Sequence, residues 1–168
     1  METRYLLAQT GAEQPALAAS PSNLTWWKSA DGQHWRAYVD GLAGSAAQTT
    51  EIQLLTSLEG ASHGESGNYH YIVETDISTA SEEEFNAWYN TEHLPGLARV
   101  PGTVLAQRYL RLSGTPRYIA CYELLSPAVM ESQAWLAIRH TAWSSRIRPM
   151  FMNTVRQLFI RHTSQAQP

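Results

Sequence analysis

Cysteine is almost absent from this 168-residue sequence, which contains only Cys121. A single cysteine excludes an internal disulfide and a cysteine-based zinc site. Apolar runs long enough to cross a membrane are also missing, and the N-terminal segment lacks the long apolar stretch of a secretion signal. We therefore expect a cytoplasmic protein with no membrane partner.

Excess charge of either sign is lacking as well. The formal net charge is −3 at pH 7, and the sequence pI is ≈ 6.0. No basic stripe with interleaved aromatics is present, which argues against nucleic acid as a partner. The hydrophobic content of 43% is that of an ordinary globular chain, and the length suits one domain with or without an appendage.

The motifs of several enzyme classes are missing. The sequence has no Gly-x-Ser-x-Gly elbow, no glycine-rich phosphate loop and no dinucleotide fingerprint. Its six histidines show no His-x-x-x-His spacing. We therefore expect no metal and no cofactor. Two alternatives stay open, a metal site assembled from distant strands, such as His70, Glu74 and His93, and a haem held by an axial histidine without an attachment motif.

Aromatic residues are abundant, with six Trp and eight Tyr. Aromatic side chains beyond the needs of a core often line pockets for flat or apolar ligands. The composition therefore favours a small aromatic or hydrophobic molecule as the ligand.

One stretch, residues 82–102, organises the second half of the chain. Ser81 is a candidate N-cap, and three glutamates follow it in the first turn, where they suit the positive end of a helix dipole. Trp88, Tyr89 and His93 then follow at helical spacing. Pro95 and the glycine after it predict the end of the helix, which would leave His93 at its C-terminal end.

The remaining pattern predicts an α+β chain. Strands are expected over residues 3–9, 49–58, 69–77, 103–112, 117–125 and 151–162, with a loop or short helix over 11–23. Apolar residues from Trp35 to Leu42 at helical spacing predict a further helix, which ends at Gly41 or Gly44. A helix is also expected over 127–140.

These elements divide the chain into regions. Residues 1–60 read as a β-α-β unit, either an unrelated extension or a degenerate half-repeat of the later pattern. A linker is expected at 61–68 and a frayed tail at 163–168. Residues 69–162 read as a ferredoxin-like βαββαβ unit with an antiparallel sheet.

The second region carries a motif that resembles a known family. The motif residues are Trp88, Tyr89, His93, Leu94, Pro95, Leu97, Val100, Pro101 and Gly102, followed by Arg108 and Tyr109. The pattern resembles the EthD-like branch of the dimeric α/β-barrel superfamily, with further likeness at 118–125 and 140–143. This resemblance implies a homodimer in which two sheets form one barrel across a two-fold axis. The superfamily includes isomerases, cyclases, lyases, cofactor-free monooxygenases and haem proteins, so the fold alone does not choose a reaction.

The resemblance and the missing cofactor motifs together suggest a function. We expect a cofactor-independent acid–base enzyme, a cyclase, isomerase or lyase, that acts on a small aromatic or polyketide-like molecule. His93 would transfer the proton, while Tyr89 and Trp88 position the substrate. A helix C-terminus favours imidazolium, so either burial offsets this effect or His93 donates a proton or binds an anion. The alternatives are a non-catalytic binding or accessory protein and a cofactor-free monooxygenase.

Four further residues are candidates for substrate binding. Strand alternation places His70 and Glu74 on one face of the 69–77 strand, opposite Tyr69, Tyr71 and Val73. Arg108 and Tyr122 lie on neighbouring strands. Each also has a purely structural interpretation, and for Arg108 it is a cross-strand salt bridge with Glu74.

Overall fold

The computed structural model describes residues 4–15, 24–41 and 49–162. The strands in these ranges are β1 (Arg4–Thr10), β2 (Trp26–Ser29), β3 (His34–Asp40), β4 (Thr49–Glu59), β5 (Tyr69–Asp76), β6 (Thr103–Arg111), β7 (Tyr118–Leu124) and β8 (Met152–His162). The helices are α1 (Glu82–Trp88), α2 (Leu94–Ala98), α3 (Gln133–Arg139) and α4 (Ala142–Ile147). The tail at 163–168 and most of the loop or short helix expected over 11–23 lie outside the described residues. Within them, no helix is long and apolar enough to span a membrane.

The eight strands close into one antiparallel barrel. Their order is β1-β3-β2-β8-β5-β7-β6-β4, and β1 pairs with β4 to complete the ring. The resemblance predicted a barrel made by two chains, and this prediction is wrong. Strands from the first sixty residues of the same chain take the place of the second sheet. A homodimer through another surface stays a prediction.

The helix predicted from Trp35 does not form in the described residues, where His34–Asp40 is strand β3. Trp35, Ala37 and Val39 pack into one apolar cluster, while Arg36 and Tyr38 point to the other side, into the barrel. A strand that is buried on both faces has no alternation of apolar and polar residues. Apolar residues from both faces of β3, namely Trp35, Tyr38 and Val39, therefore matched a helical spacing.

The helical layer covers the outer face of the sheet formed by β5, β6, β7 and β8. Its core joins apolar side chains from α1 and α2 to those of β6 and β7, and Phe85, Leu94 and Leu124 in this core are completely buried. A second core fills the barrel interior, with Ile72 and Phe159 at its centre. The sheet therefore has an aromatic-rich face toward the helices and a separate interior face.

The helix that begins at Glu82 does not stop before Pro95, so this part of the prediction is wrong. A π turn over Tyr89–His93 joins α1 directly to α2. Pro95 lies in the first turn of α2, where its missing N–H is tolerated. A Cβ on Gly96 would lie 2.9 Å from Ile138 Cδ1, so the glycine permits close packing with α3 instead of ending a helix.

Candidate functional site

A cavity of about 70 Å³ lies between the helices and the outer face of the sheet. Six aromatic rings line it, from Tyr71, Trp88, Tyr89, Tyr122, Trp135 and Phe151. His93 and three arginines also line it. A concave aromatic site with a few polar groups is the usual form of a small-molecule pocket.

The π turn sets the position of His93. In a regular α-helix, residues 88 and 93 would point about 140° apart, since each residue turns about 100°. The i→i+5 spacing of the π turn brings them to the same face. The His93 ring stacks on Trp88 with centroids 4.2 Å apart, and it contacts Tyr89 edge-on at 5.4 Å. His93 therefore lies inside a continuous helical segment, which removes the objection based on a helix C-terminus.

The His93 imidazole is buried and neutral. Only 8% of the residue is exposed, and Nδ1 has no hydrogen-bond partner among the described residues. The pKa of His93 is lowered to about 3, mainly by burial and in smaller part by the positive charges of Arg148, Arg108 and Arg139. At neutral pH the ring is therefore unprotonated, and its basicity is low.

Tyr89 and Tyr122 supply phenol groups to the same cavity. Burial raises the pKa of Tyr89 to about 12, so this phenol keeps its proton at neutral pH. The Tyr122 hydroxyl is buried and has no hydrogen-bond partner within the described part of the chain. Buried polar atoms nearly always have a partner, so an unpaired hydroxyl and an unpaired imidazole beside one cavity indicate that a ligand or water belongs there.

Arg108 holds the helix in place from the sheet. Its guanidinium donates hydrogen bonds to Oδ1 of Asn90 and Oδ1 of Asn86, both at 2.8 Å. It also lies 4.3 Å from the centre of the Tyr89 ring. The predicted salt bridge between Arg108 and Glu74 does not form, because the two side chains lie on opposite faces of the sheet.

His70 and Glu74 lie inside the barrel and away from this cavity. His70 stacks on Trp27 with centroids 4.7 Å apart and borders a second cavity of about 400 Å³. Glu74 Oε1 accepts hydrogen bonds from Arg36 at 2.6 Å and from Arg111 at 3.1 Å. The alternation predicted for this strand is correct, but it separates these two residues from His93.

The structure thus brings together Trp88, Tyr89, His93 and Tyr122, with Arg108 as their support. Sequence reasoning did not single out several other side chains of the cavity, among them Tyr71, Phe151, Arg139, Arg148 and Arg156. The alternation of side chains along β5 places Tyr71 on the face toward the helices, so this pattern could have identified Tyr71 from the sequence. The three arginines come from separate elements, and no spacing in the sequence connects them.

Solved structures with a similar fold come from several bacterial proteins. An uncharacterized ferredoxin-fold protein from Listeria monocytogenes, related to antibiotic biosynthesis monooxygenases, is 12% identical with a TM-score of 0.66, over 97% of this chain and 96% of that chain. A monooxygenase-like protein from Listeria innocua is 13% identical with a TM-score of 0.64, over 98% and 96%. A heme-degrading enzyme from Listeria monocytogenes is 12% identical with a TM-score of 0.61, over 93% and 98%.

The fold is ferredoxin-like. The same architecture occurs in these solved structures, one of which is a protein related to antibiotic biosynthesis monooxygenases. No family model matches the sequence, and no curated protein matches it closely enough to show a relationship. At these identities the likeness shows the fold alone, and the chemistry has to be argued from the residues of the site.

The donor set and the size of the cavity limit what the site can hold. No group of three or more His, Cys, Asp or Glu side chains in the described ranges is arranged to hold a metal ion. A porphyrin is several times larger than a cavity of about 70 Å³. A haem group therefore does not fit in this cavity.

Proposed function

We propose that this chain is a cofactor-independent acid–base enzyme of the EthD-like type, acting on a small aromatic molecule with His93 as the proton acceptor. The observation that carries this proposal is the neutral, unpartnered imidazole of His93, stacked on Trp88 beside the unpartnered hydroxyl of Tyr122. A positioned histidine is the side chain most often used for general acid–base catalysis.

The chemistry begins with a phenol or enol bound flat against the aromatic wall. The substrate O–H bond breaks, and the proton moves to the His93 ring, which leaves a delocalised substrate anion. The Tyr122 hydroxyl donates a hydrogen bond to the oxygen that gains charge, and the protonated Tyr89 phenol provides a second polar contact. Return of the proton from His93 to a carbon of the substrate completes an isomerisation. In a cyclisation, the carbon of the anion would instead bond to a carbonyl carbon of the same molecule, and the proton on His93 would go to the new alkoxide oxygen. In a lyase reaction, the anion would expel a leaving group, which would take that proton.

A cofactor-free monooxygenase is the second candidate. The likeness to monooxygenase-like structures favours it, although that likeness concerns the fold. The first step is the same, because an electron-rich substrate anion would be the species that reacts with O₂. Turnover that stops in the absence of O₂ would favour the monooxygenase over the isomerase, cyclase or lyase.

Exchange of substrate hydrogen tests the proposal even while the product is unidentified. Small phenols and enols are incubated with the protein in D₂O, and NMR follows the exchange of their C–H protons. We expect His93→Ala to slow this exchange by about a hundredfold or more, while ligand affinity changes little. His63→Ala, at an exposed position outside the cavity, is the matched control.

Two results would contradict the proposal in different ways. If the phenols bind in the cavity but no exchange depends on His93, the chain is a binding or accessory protein. If exchange persists in His93→Ala and stops in another variant of the cavity, the proton acceptor has been assigned to the wrong residue.

A further inference from the structure

Most arginines of the chain have a hydrogen-bonded partner. These are Arg4, Arg36, Arg108, Arg111, Arg117, Arg146 and Arg161. Arg139 and Arg148 have no hydrogen bond or ion pair with any residue that the structure describes, and Arg156 lies beside the Tyr71 phenol without a carboxylate partner. All three line the cavity that contains His93. Three arginines without a carboxylate partner therefore lie around this one cavity, whereas Arg99, which also has no hydrogen-bonded partner among the described residues, is exposed elsewhere.

Three separate elements bring these arginines together. Arg139 is the last residue of α3, Arg148 begins the 3₁₀ turn after α4, and Arg156 lies on β8. Arg139 and Arg148 are half-buried, so water screens their mutual repulsion only in part. Burial lowers the pKa of Arg148, and the charges of Arg139 and Arg156 lower it further. The fold tolerates this repulsion at the rim of a ligand cavity, where an anion would relieve it.

We propose that Arg139, Arg148 and Arg156 bind the carboxylate of the substrate, and that the substrate is an aromatic acid with a single ring. This inference rests on the proposed function of the same cavity and names its substrate class. Guanidinium groups bind carboxylates through paired, charge-assisted hydrogen bonds, which fix both the position and the orientation of the acid.

The volume of the cavity determines the size of the acid. One water needs about 10–15 Å³ of such space, so a cavity of about 70 Å³ holds roughly five waters. That is close to the size of one substituted benzene ring. The aromatic wall would enclose the ring while the arginines hold the acid group at the opening.

Binding of an acid would also change the chemistry of His93. The charges of Arg148 and Arg139 oppose protonation of its imidazole. A carboxylate held between these arginines offsets their charges, so His93 becomes more basic only when the substrate is present. The acid group would therefore contribute to proton transfer as well as to affinity.

The test compares two probes that differ mainly in charge, salicylate and salicylamide. Their dissociation constants are measured by tryptophan fluorescence and confirmed by NMR titration, on the wild type, Arg148→Gln and Arg139→Gln. The control is Arg99→Gln, since Arg99 is also without a hydrogen-bonded partner among the described residues but is exposed and lies outside the cavity. Thermal unfolding of each variant verifies that it is folded.

We expect salicylate to bind the wild type about tenfold more tightly than salicylamide, with an affinity that falls as salt is added. Arg148→Gln and Arg139→Gln should each weaken salicylate about tenfold and leave salicylamide unchanged, whereas Arg99→Gln should change neither. Equal affinity for both probes, no binding of salicylate at millimolar concentration, or an equal loss in Arg99→Gln would overturn the inference.

The inference and the proposed function fail separately. Arginine-dependent binding of salicylate without any His93-dependent exchange would leave an anion-binding protein that is not an enzyme. If the exchange depends on His93 but is as fast for neutral phenols as for aromatic acids, the proposed enzymatic function stands and the inference of an aromatic acid as substrate is rejected.

Discussion

Two buried histidines share one unusual property although they lie on opposite sides of the sheet. His70 inside the barrel and His93 in the outer cavity each have a pKa of about 3. Burial is the main cause in both cases, and nearby arginines add to it, Arg36 for His70 and Arg148 for His93. The folded protein therefore keeps both rings neutral at pH values where an unfolded chain would protonate them.

This difference predicts a loss of stability in mild acid. Below about pH 6.5 the two histidines are protonated in the unfolded chain, whereas in the folded chain they stay neutral down to about pH 3. The free energy of unfolding therefore falls as the pH is lowered through that range. Each histidine should remove roughly 2 kcal/mol between pH 6.5 and pH 4.5. Urea unfolding at these two pH values measures the loss. His70→Gln and His93→Gln should each reduce it by roughly 2 kcal/mol, and variants that keep the full loss would contradict this account.

The sequence predicted the group around His93 but not the pairing of Glu74. Helical spacing alone places Tyr89 and His93 on one face, whereas the stacking of His93 on Trp88 depends on the π turn, which the sequence did not predict. Glu74 and Arg108 lie on different strands, and their pairing depended on which face each side chain occupies. Arg36, one of the two observed partners of Glu74, belongs to a strand that was predicted as a helix. Because β3 was predicted as a helix, the pairing of its Arg36 with Glu74 could not be predicted.

At the level of elements, the π turn and Gly96 act together. The turn reorients His93 toward Trp88, and the helical chain then continues into α2. Gly96 on α2 faces Ile138 of α3 at a distance that leaves no room for a methyl group. The position of α2 against α3 therefore depends on the absence of a side chain at residue 96.

Gly96→Ala tests this packing. Alanine favours a helix over glycine by about 1 kcal/mol, but an added methyl group in a tight contact costs about 1–3 kcal/mol. We expect Gly96→Ala to lower the free energy of unfolding in the wild type and to raise it by about 1 kcal/mol in an Ile138→Ala background, where the space is free. Urea unfolding of the four proteins measures both effects. The same sign in both backgrounds would show that Ile138 does not cause the strain.

Predictions of elements succeeded where the pattern was local. The strands near 49–58, 69–77 and 103–112 lie close to the observed β4, β5 and β6. The proline and glycine at 95 and 96 were interpreted as local stop signals. Their actual roles, a tolerated first-turn proline and a contact with α3, depend on the π turn and on a distant helix, and a single sequence does not reveal either.

At the level of the whole molecule, Glu74 connects the two halves of the barrel. Its Oε1 accepts hydrogen bonds from Arg36 on β3 and from Arg111 on β6, and all three side chains are largely buried. Removal of a carboxylate that is shared by two buried arginines is strongly destabilising, because two uncompensated charges are left inside the barrel.

Glu74→Gln should therefore lower the free energy of unfolding by about 3–5 kcal/mol. The matched control is Glu84→Gln, which removes an exposed ion pair with Arg146 and should cost less than about 1 kcal/mol. Urea unfolding followed by circular dichroism measures both values. A loss for Glu74→Gln as small as that of the control would mean that the buried ion pairs do not hold the halves together.

A barrel closed by one chain is free of a constraint that acts on symmetric assemblies. When two identical subunits form the barrel, every substitution appears twice, so a change on one side also alters the opposite side. Here the strands of residues 4–59 and those of residues 69–162 are encoded separately, so a substitution in one set is not repeated in the other. A change in the first set can therefore occur while the residues of the His93 cavity keep their identity.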